Sequence, residues 1–426
     1  MEDKAKNEVE KGTGAPAENG WLERHFHWRR FINEDLRLRP AVVPQSFWDY
    51  LDYTGTVALV LIVLQVISGL LLLLYYVPEP EQAFGSVRMI RNDVPLGLFY
   101  HNLHTVGAKL LVLVAFVHMF RVMIISAHRG PREPQWYSGM ALILLLLVMA
   151  FSGNLLPWSE QSYWSCVIGT EALRSVPLVG GPLVRTVRGG EMVSGATLHR
   201  FFALHVGLLP VVLVVLTYAH LKLFWKAAKI WPPAAYASVI NEECIGCGKC
   251  EHECQFGALK MDRVEGETVA VTDLALCNAC RACLKVCPAD CISISSRGHD
   301  IPVGPFFPDG IISRAKTVVA TLIALFFGVF FLHGLIIRDR VPADPLSTPE
   351  IIKPDWYFMA PYQLLRELPS EGLGLFAIAA ITLVVFFLPA IDKRGPRDYR
   401  ERPVYLFIVG LGIAAFIVLT LMGYFP

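Results

Sequence analysis

Twelve residues are spaced in ways that suit metal chemistry. Eight of the ten cysteines fall in one short polar segment: Cys244, Cys247, Cys250 and Cys254, then Cys277, Cys280, Cys283 and Cys287. Each set reads C-x2-C-x2-C-x3-C, and Pro288 follows the second. Thiolates at this repeated spacing hold two [4Fe–4S] cubanes, the last cysteine of each run serving the other cluster. Cys244, Cys247, Cys250 and Cys287 are therefore expected at one cubane, and Cys277, Cys280, Cys283 and Cys254 at the other. Zinc also takes four cysteines, but not this doubled spacing with its following proline. A disulfide framework fits such tight clusters no better. Cys291 is left over and is read as structural.

Four of the twelve histidines lie inside long apolar runs as two pairs, His104 with His118 and His205 with His220. On helices rising 1.5 Å per residue, these 14- and 15-residue steps separate the members of a pair by about 21–23 Å. The first step is nearly four whole turns, so His104 and His118 share a face; the second drifts a little further round. Two such helices can clamp two stacked bis-histidine haems, one toward each membrane surface. A single histidine in a span can serve as an interhelical hydrogen bond, but four in matched pairs at such depth point to function. Gly55 and Gly69 repeat the 14-residue interval, and so do Gly139 and Gly153. Glycine lets a backbone approach a flat cofactor closely, although small residues also serve ordinary helix packing.

The elements that must carry these ligands are membrane helices. Hydrophobic residues make up 54% of the 426 and charged residues 18%, less charge than a soluble chain of this size carries. The formal net charge of +1 gives no pointer to nucleic acid. Seven stretches are long and apolar enough to span a bilayer: 54–77, 102–126, 138–157, 198–225, 313–336, 371–390 and 403–423. Basic residues gather before the first (Arg24, Arg29, Arg30, Arg37, Arg39), after the second (Arg129, Arg132) and after the sixth (Lys393, Arg394, Arg397, Arg400, Arg402). The positive-inside bias then makes the N-terminus and the cysteine segment cytoplasmic in a bacterial inner membrane. Five segments follow. Residues 1–20 read as a disordered tail, and 21–53 as an interfacial amphipathic or merely solvated arm. A dihaem four-helix domain covers 54–226, the cluster insert with its linkers 227–310, and a three-helix domain 311–426. The fold class is an all-α membrane protein with a small inserted α+β domain.

Outside the tail and the insert, the chain resembles the cytochrome b family of quinol-oxidising complexes, in particular the split plastoquinol type, cytochrome b6 plus subunit IV. The resemblance rests on the histidine and glycine spacings and on "LLPWSEQSYW" (155–164), "PLVGGPLVRTVRGG" (177–190), "TLHRFFALHVGLLP" (197–210) and "PDWYFMAPYQLLRELP" (354–369). The 15-residue step from His205 to His220 is the plastoquinol-type spacing. The insert resembles a bacterial-type two-cluster ferredoxin. The family resemblance implies an outer quinol site built from Trp158, Tyr163, Asp355 and Tyr357, with Asp355 standing where the family has a glutamate. It implies propionate contacts from Arg121 and Arg200, while His101 replaces a further family arginine. Tyr53 stands where plastoquinol-type proteins attach a c-type haem through cysteine, so no covalent haem is expected there. Cys166 lies near the quinol loop without a partner in this chain.

These readings define a wire. His104 and His205 would hold an outer haem, and His118 and His220 an inner one close to the ferredoxin domain. The leading function is a quinol oxidoreductase subunit of a respiratory or photosynthetic chain, using a menaquinone-like quinone and contributing to proton motive force. Its outer partner would be a Rieske or cytochrome c subunit, since this chain has no ligand set for either. The alternative is a ferredoxin-side quinone reductase fed by a soluble low-potential donor, without quinol bifurcation. The resemblance further implies a homodimer.

Overall fold

The computed structural model describes residues 40–42, 51–129, 132–226, 235–254, 257–274, 277, 282–296, 303–305, 308, 310–336, 341–350, 352–393 and 402–425. The expected tail, the interfacial arm up to residue 39, and Cys280 lie outside these. In chain order the first elements are β1 (Pro40–Val42), α1 (Thr54–Leu73), α2 (Ala83–Asn92), α3 (Gly97–Ile124), α4 (Glu133–Leu155), α5 (Glu160–Glu171), α6 (Gly180–Arg188) and α7 (Gly195–Phe224). The insert carries β2 (Ala235–Val239), α8 (Lys249–Glu253), β3 (Leu259–Val264), β4 (Glu267–Thr272), α9 (Ala282–Val286), β5 (Ile292–Ser296) and β6 (Val303–Pro305). Then come α10 (Ile311–Leu332), α11 (Trp356–Glu367), α12 (Glu371–Phe386), α13 (Leu388–Ile391) and α14 (Pro403–Tyr424).

Among the described residues six helices are long and apolar enough to cross a membrane: α1, α3, α4, α7, α10 and α14. Each buries only a narrow stripe within the protein and leaves apolar side chains such as Leu70, Val215 and Phe407 exposed, the pattern of helices solvated by lipid. The seventh expected span, 371–390, is shorter than its hydropathy implied. α12 stops at Phe386 after 16 residues, and α13 restarts with Pro389 in its first turn. Proline has no N–H for a continuous helix and its ring crowds the preceding turn. α12 alone reaches about 24 Å, short of a hydrocarbon core of about 30 Å.

α1 and α3 pack through Val57, Leu61, Leu103, Val106 and Leu111, closed by Leu325 and Val329 of α10. One turn of α7, Ala203–Leu208, is π-helical. A π turn takes up one residue more than an α turn, and it does so at His205, absorbing the fifteenth residue of the histidine interval.

A polar clasp ties the segment after α3 to the start of α14. Asp392 pairs with Arg402 through both oxygens and meets His128 Nε2 at 2.9 Å. Arg402 also donates to Ser126 Oγ at 2.7 Å and lies over the Tyr405 ring. Burial alone would raise the Asp392 carboxyl, but its bonds to Arg402 and His128 outweigh that and hold it below its ordinary value. Burial holds His128 low, against the opposing pull of Asp392.

The insert belongs to a second compact unit and is built from antiparallel pairs: β1 with β6, β2 with β5, and the β3–β4 hairpin. Glu265 and Gly266 both have positive φ at the hairpin tip, the requirement of a two-residue type I′ turn. Its core includes Cys250, Cys277, Cys283 and Cys291, with Cys244, Cys254 and Cys287 packed against it.

Candidate functional site

The four spanning histidines meet four hydroxyl–glycine steps. Thr54–Gly55 and Ser68–Gly69 on α1 face His118 and His104 of α3; Ser138–Gly139 and Ser152–Gly153 on α4 face His220 and His205 of α7. A Cβ added to Gly55, Gly69 or Gly139 would sit 3.2 Å from its histidine Cε1, and one added to Gly153 only 2.6 Å away. The glycines therefore admit the imidazoles themselves.

The hydroxyls set the tautomer. Each lies 2.9–3.1 Å from a histidine Nδ1. Each also donates its only proton to a backbone carbonyl of its own helix turn: Thr54 to Leu51, Ser68 to Leu64, Ser138 to Gln135 and Ser152 to Met149. A hydroxyl has one proton to give; with that proton on the carbonyl it accepts from an imidazole whose Nδ1 carries the hydrogen. His205 repeats the point, its Nδ1 also lying 3.1 Å from the acceptor-only carbonyl of Met149. All four Nε2 atoms are left with a lone pair, the state a metal ligand requires.

The His104 and His205 rings lie edge to face with centroids 6.4 Å apart. Two metal–imidazole bonds of about 2 Å each, with the ring radii, close such a gap. His118 and His220 line an apolar cavity of about 220 Å³ with Gly55 and Gly139, and Arg121 and Arg132 supply cations to it. This donor set suits an axially ligated macrocycle with anionic substituents. Arg200 is exposed in the first turns of α7, where its Nη1 lies 3.4 Å from Ala196 O of its own helix and its guanidinium packs against Gly189. His101 is buried and leans on Asn102 at 3.5 Å. Tyr53 is buried beneath the Arg314 guanidinium.

The four residues of the expected outer site fall into two groups. Trp158 and Tyr163 stack edge to face at 5.6 Å in one core with Cys166, a buried free thiol that burial pushes up to about 12. Asp355 stands at the N-cap position of α11, where its side chain, instead of capping the helix, gathers three donors. Lys109 Nζ reaches Oδ1 at 2.6 Å; Asn154 Nδ2 and the Tyr357 hydroxyl reach Oδ2 at 2.6 and 3.0 Å. Burial, then the Asp355 charge, pushes Tyr357 well above its ordinary value, which keeps its hydroxyl a donor. Gln161 links the groups by donating to Lys353 O at 2.7 Å.

In the insert, Cys244, Cys247, Cys250 and Cys287 line a common apolar cavity with Cys291. This is the alternating set expected for one cubane. Gly246 between the first two has φ +65, and a Cβ there would meet Thr268 O at 2.6 Å, so the turn admits only glycine. Of the other set, Cys254 and Cys277 accept backbone N–H bonds from Ala258 and Ala237, each at 3.3 Å, and Cys283 is buried. Cys291 is buried 3.5 Å from Cys287. No three metal-binding side chains among the described residues close on a single-ion site.

Sequence reasoning passed over the four hydroxyls, Lys109, Asn154 and the cavity position of Arg132. A signal existed for the hydroxyls: every glycine of the 14-residue pattern is preceded by Ser or Thr.

Residues 41–228 match the family described as Cytochrome b/b6/petB, and 342–426 match Cytochrome b(C-terminal)/b6/petD. Residues 243–291 match a 4Fe-4S dicluster domain. Cytochrome b of Allochromatium vinosum is 29% identical over 95% of this chain and 88% of its own. The cytochrome bc complex cytochrome b subunit of Chlorobaculum thiosulfatiphilum is 30% identical over 94% and 79%. Among solved structures, a hyperthermophilic respiratory complex III superposes with a TM-score of 0.74 at 26% identity, covering 95% of this chain and 91% of that one. With four histidines paired across a membrane bundle, the chain belongs to the cytochrome b family, as a membrane-embedded electron-transfer protein whose two cytochrome b segments are joined by a 4Fe–4S dicluster domain.

Proposed function

We propose that the protein is the haem-bearing subunit of a quinol oxidoreductase related to the b6–subunit IV type. It would oxidise a menaquinone-like quinol outside and exchange electrons with a cytoplasmic carrier through its ferredoxin domain. The observation that carries this is the set of four imidazoles in two facing pairs, each with its Nδ1 against a Ser or Thr hydroxyl of the neighbouring helix. When bound, two haems b and two [4Fe–4S] clusters supply the one-electron carriers. His104 and His205 would hold the outer haem and His118 and His220 the inner one, whose anionic substituents Arg121 and Arg132 would offset. Cys244, Cys247, Cys250 and Cys287 hold one cluster, and Cys254, Cys277, Cys280 and Cys283 the other. Asp355 accepts the quinol hydroxyl, and Trp158, Tyr163 and Tyr357 wall the site.

The basic loops orient the N-terminus and the ferredoxin domain toward the cytoplasm of a bacterial inner membrane. α12 and α13 together make the seventh crossing. A Rieske or cytochrome c subunit takes the high-potential electron outside, and the subunit works as a homodimer.

Two experiments test this reading. In anaerobic stopped-flow, haem reduction by quinol should require the oxidised high-potential partner, and Asp355→Asn should slow it about 100-fold or more. Reduction that ignores both would sink the outer-site assignment. Ser152→Ala should weaken outer-haem retention about 10–100-fold, measured as haem per protein after purification, while Ser152→Thr keeps it.

A further inference from the structure

Lys109 lies in the middle of α3, five residues past His104, about 7.5 Å deeper along the helix. An ammonium group inside a membrane span calls for a partner and a use. Its partner is Asp355, reached from another segment of the fold at 2.6 Å. The other nearby lysine, Lys353, spends its ammonium on Tyr424 O at 2.8 Å, so Lys109 supplies the cation to this carboxylate.

The two oxygens of Asp355 are held differently. Oδ1 is fixed by the ion pair, whereas Oδ2 takes two neutral bonds, from Asn154 and Tyr357. Asn154 also donates to the Tyr357 hydroxyl at 3.3 Å, so its amide keeps an acceptor when Oδ2 is taken. We propose that Lys109 is a positioning and specificity residue of the outer quinol site. It fixes Oδ1 of Asp355 and leaves Oδ2 as the atom that exchanges partners with a ligand hydroxyl. A quinol offers such a hydroxyl; a quinone offers only carbonyl acceptors and is repelled. This role rests on the outer-site reading above.

The test uses the purified complex with its partner subunits. Potentiometric titration of the b haems reports the pair independently of quinol. Lys109→Met leaves an unpaired carboxylate and lowers the outer-haem midpoint, Asp355→Asn leaves an unpaired cation and raises it, and the double variant returns toward the parent. With a short-chain quinol, K109M should reduce the rate of haem reduction about tenfold or more and make the oxidised quinone a stronger competitor. Lys109→Arg should retain most of the parent's rate and discrimination. Added to Asp355→Asn, K109M should cost nothing further, because the two act through one contact.

Midpoints that stay put in all variants would overturn the ion pair. Shifted midpoints with unchanged quinol rates and unchanged competition by quinone in K109M would overturn the role at the site. Equal losses in K109M and K109R would reduce Lys109 to a folding element. If quinol does not reduce the parent's haems, the outer-site reading fails and this role falls with it; the midpoints, which respond to the pair alone, tell that case apart.

Discussion

Gly153→Leu is expected to remove the outer haem while leaving the inner one in place. A Cβ alone would stand 2.6 Å from His205 Cε1, closer than side chains approach in folded proteins. The longer leucine must push the imidazole off its Ser152 and Met149 contacts. Loss of one of two haems should cut the reduced-minus-oxidised b-type absorbance by about half. Quinol-driven reduction of the inner haem through the outer one should fall with it. Gly410→Leu is the control, because Gly410 has nothing within 4 Å of an added Cβ. Equal haem content in the two variants would refute the account of Gly153 as clearance.

Asp392→Asn should be the most damaging substitution away from the redox groups. It leaves Arg402 and His128, which are 9% and 0% exposed, around a neutral amide. Breaking a buried pair of this kind costs about 3–5 kcal/mol. Thermal inactivation in detergent should shift to clearly lower temperature, while Lys393→Ala, on the exposed side, changes little. Acid should act in the same direction. The carboxyl of Asp392 titrates lower in the folded chain than its unfolded value of about 3.9. Its contribution is therefore complete above that value and lost as pH falls through the lower folded one. His128 is also lowered on folding, so its share begins to be lost below about 6.5. The parent should lose thermal stability progressively below that pH. Asp392→Asn should lack the loss that begins below about 3.9, while His128, without the carboxylate that opposes its lowering, keeps the loss below about 6.5.

Much of the candidate site was legible because metal coordination demands particular residue types at particular intervals, and few other constraints do. The cysteine spacing named one cavity-lining set, Cys244, Cys247, Cys250 and Cys287, before any packing was known. Lys109 was hidden because hydropathy averages a lone cation into the apolar run around it, and its partner lies 246 residues away. Ser68 and Ser152 looked like ordinary small helix residues; their role depends on hydroxyl direction, which follows from the backbone carbonyl each one bonds. The Asp392 clasp joins residues whose pairing only tertiary packing reveals. α12 misled because the apolar run 371–390 continues through Phe387 and Leu388 although Pro389 ends the helical bonding.

A helix that gains one residue normally rotates everything beyond it by about 100°. In α7 the surplus is confined to Ala203–Leu208, so His205 and His220, 15 residues apart, still meet Gly153 and Gly139, 14 apart. Chain length and ligand facing are thus separate variables in this helix. One residue can be taken up within that turn without swinging either imidazole away from its glycine.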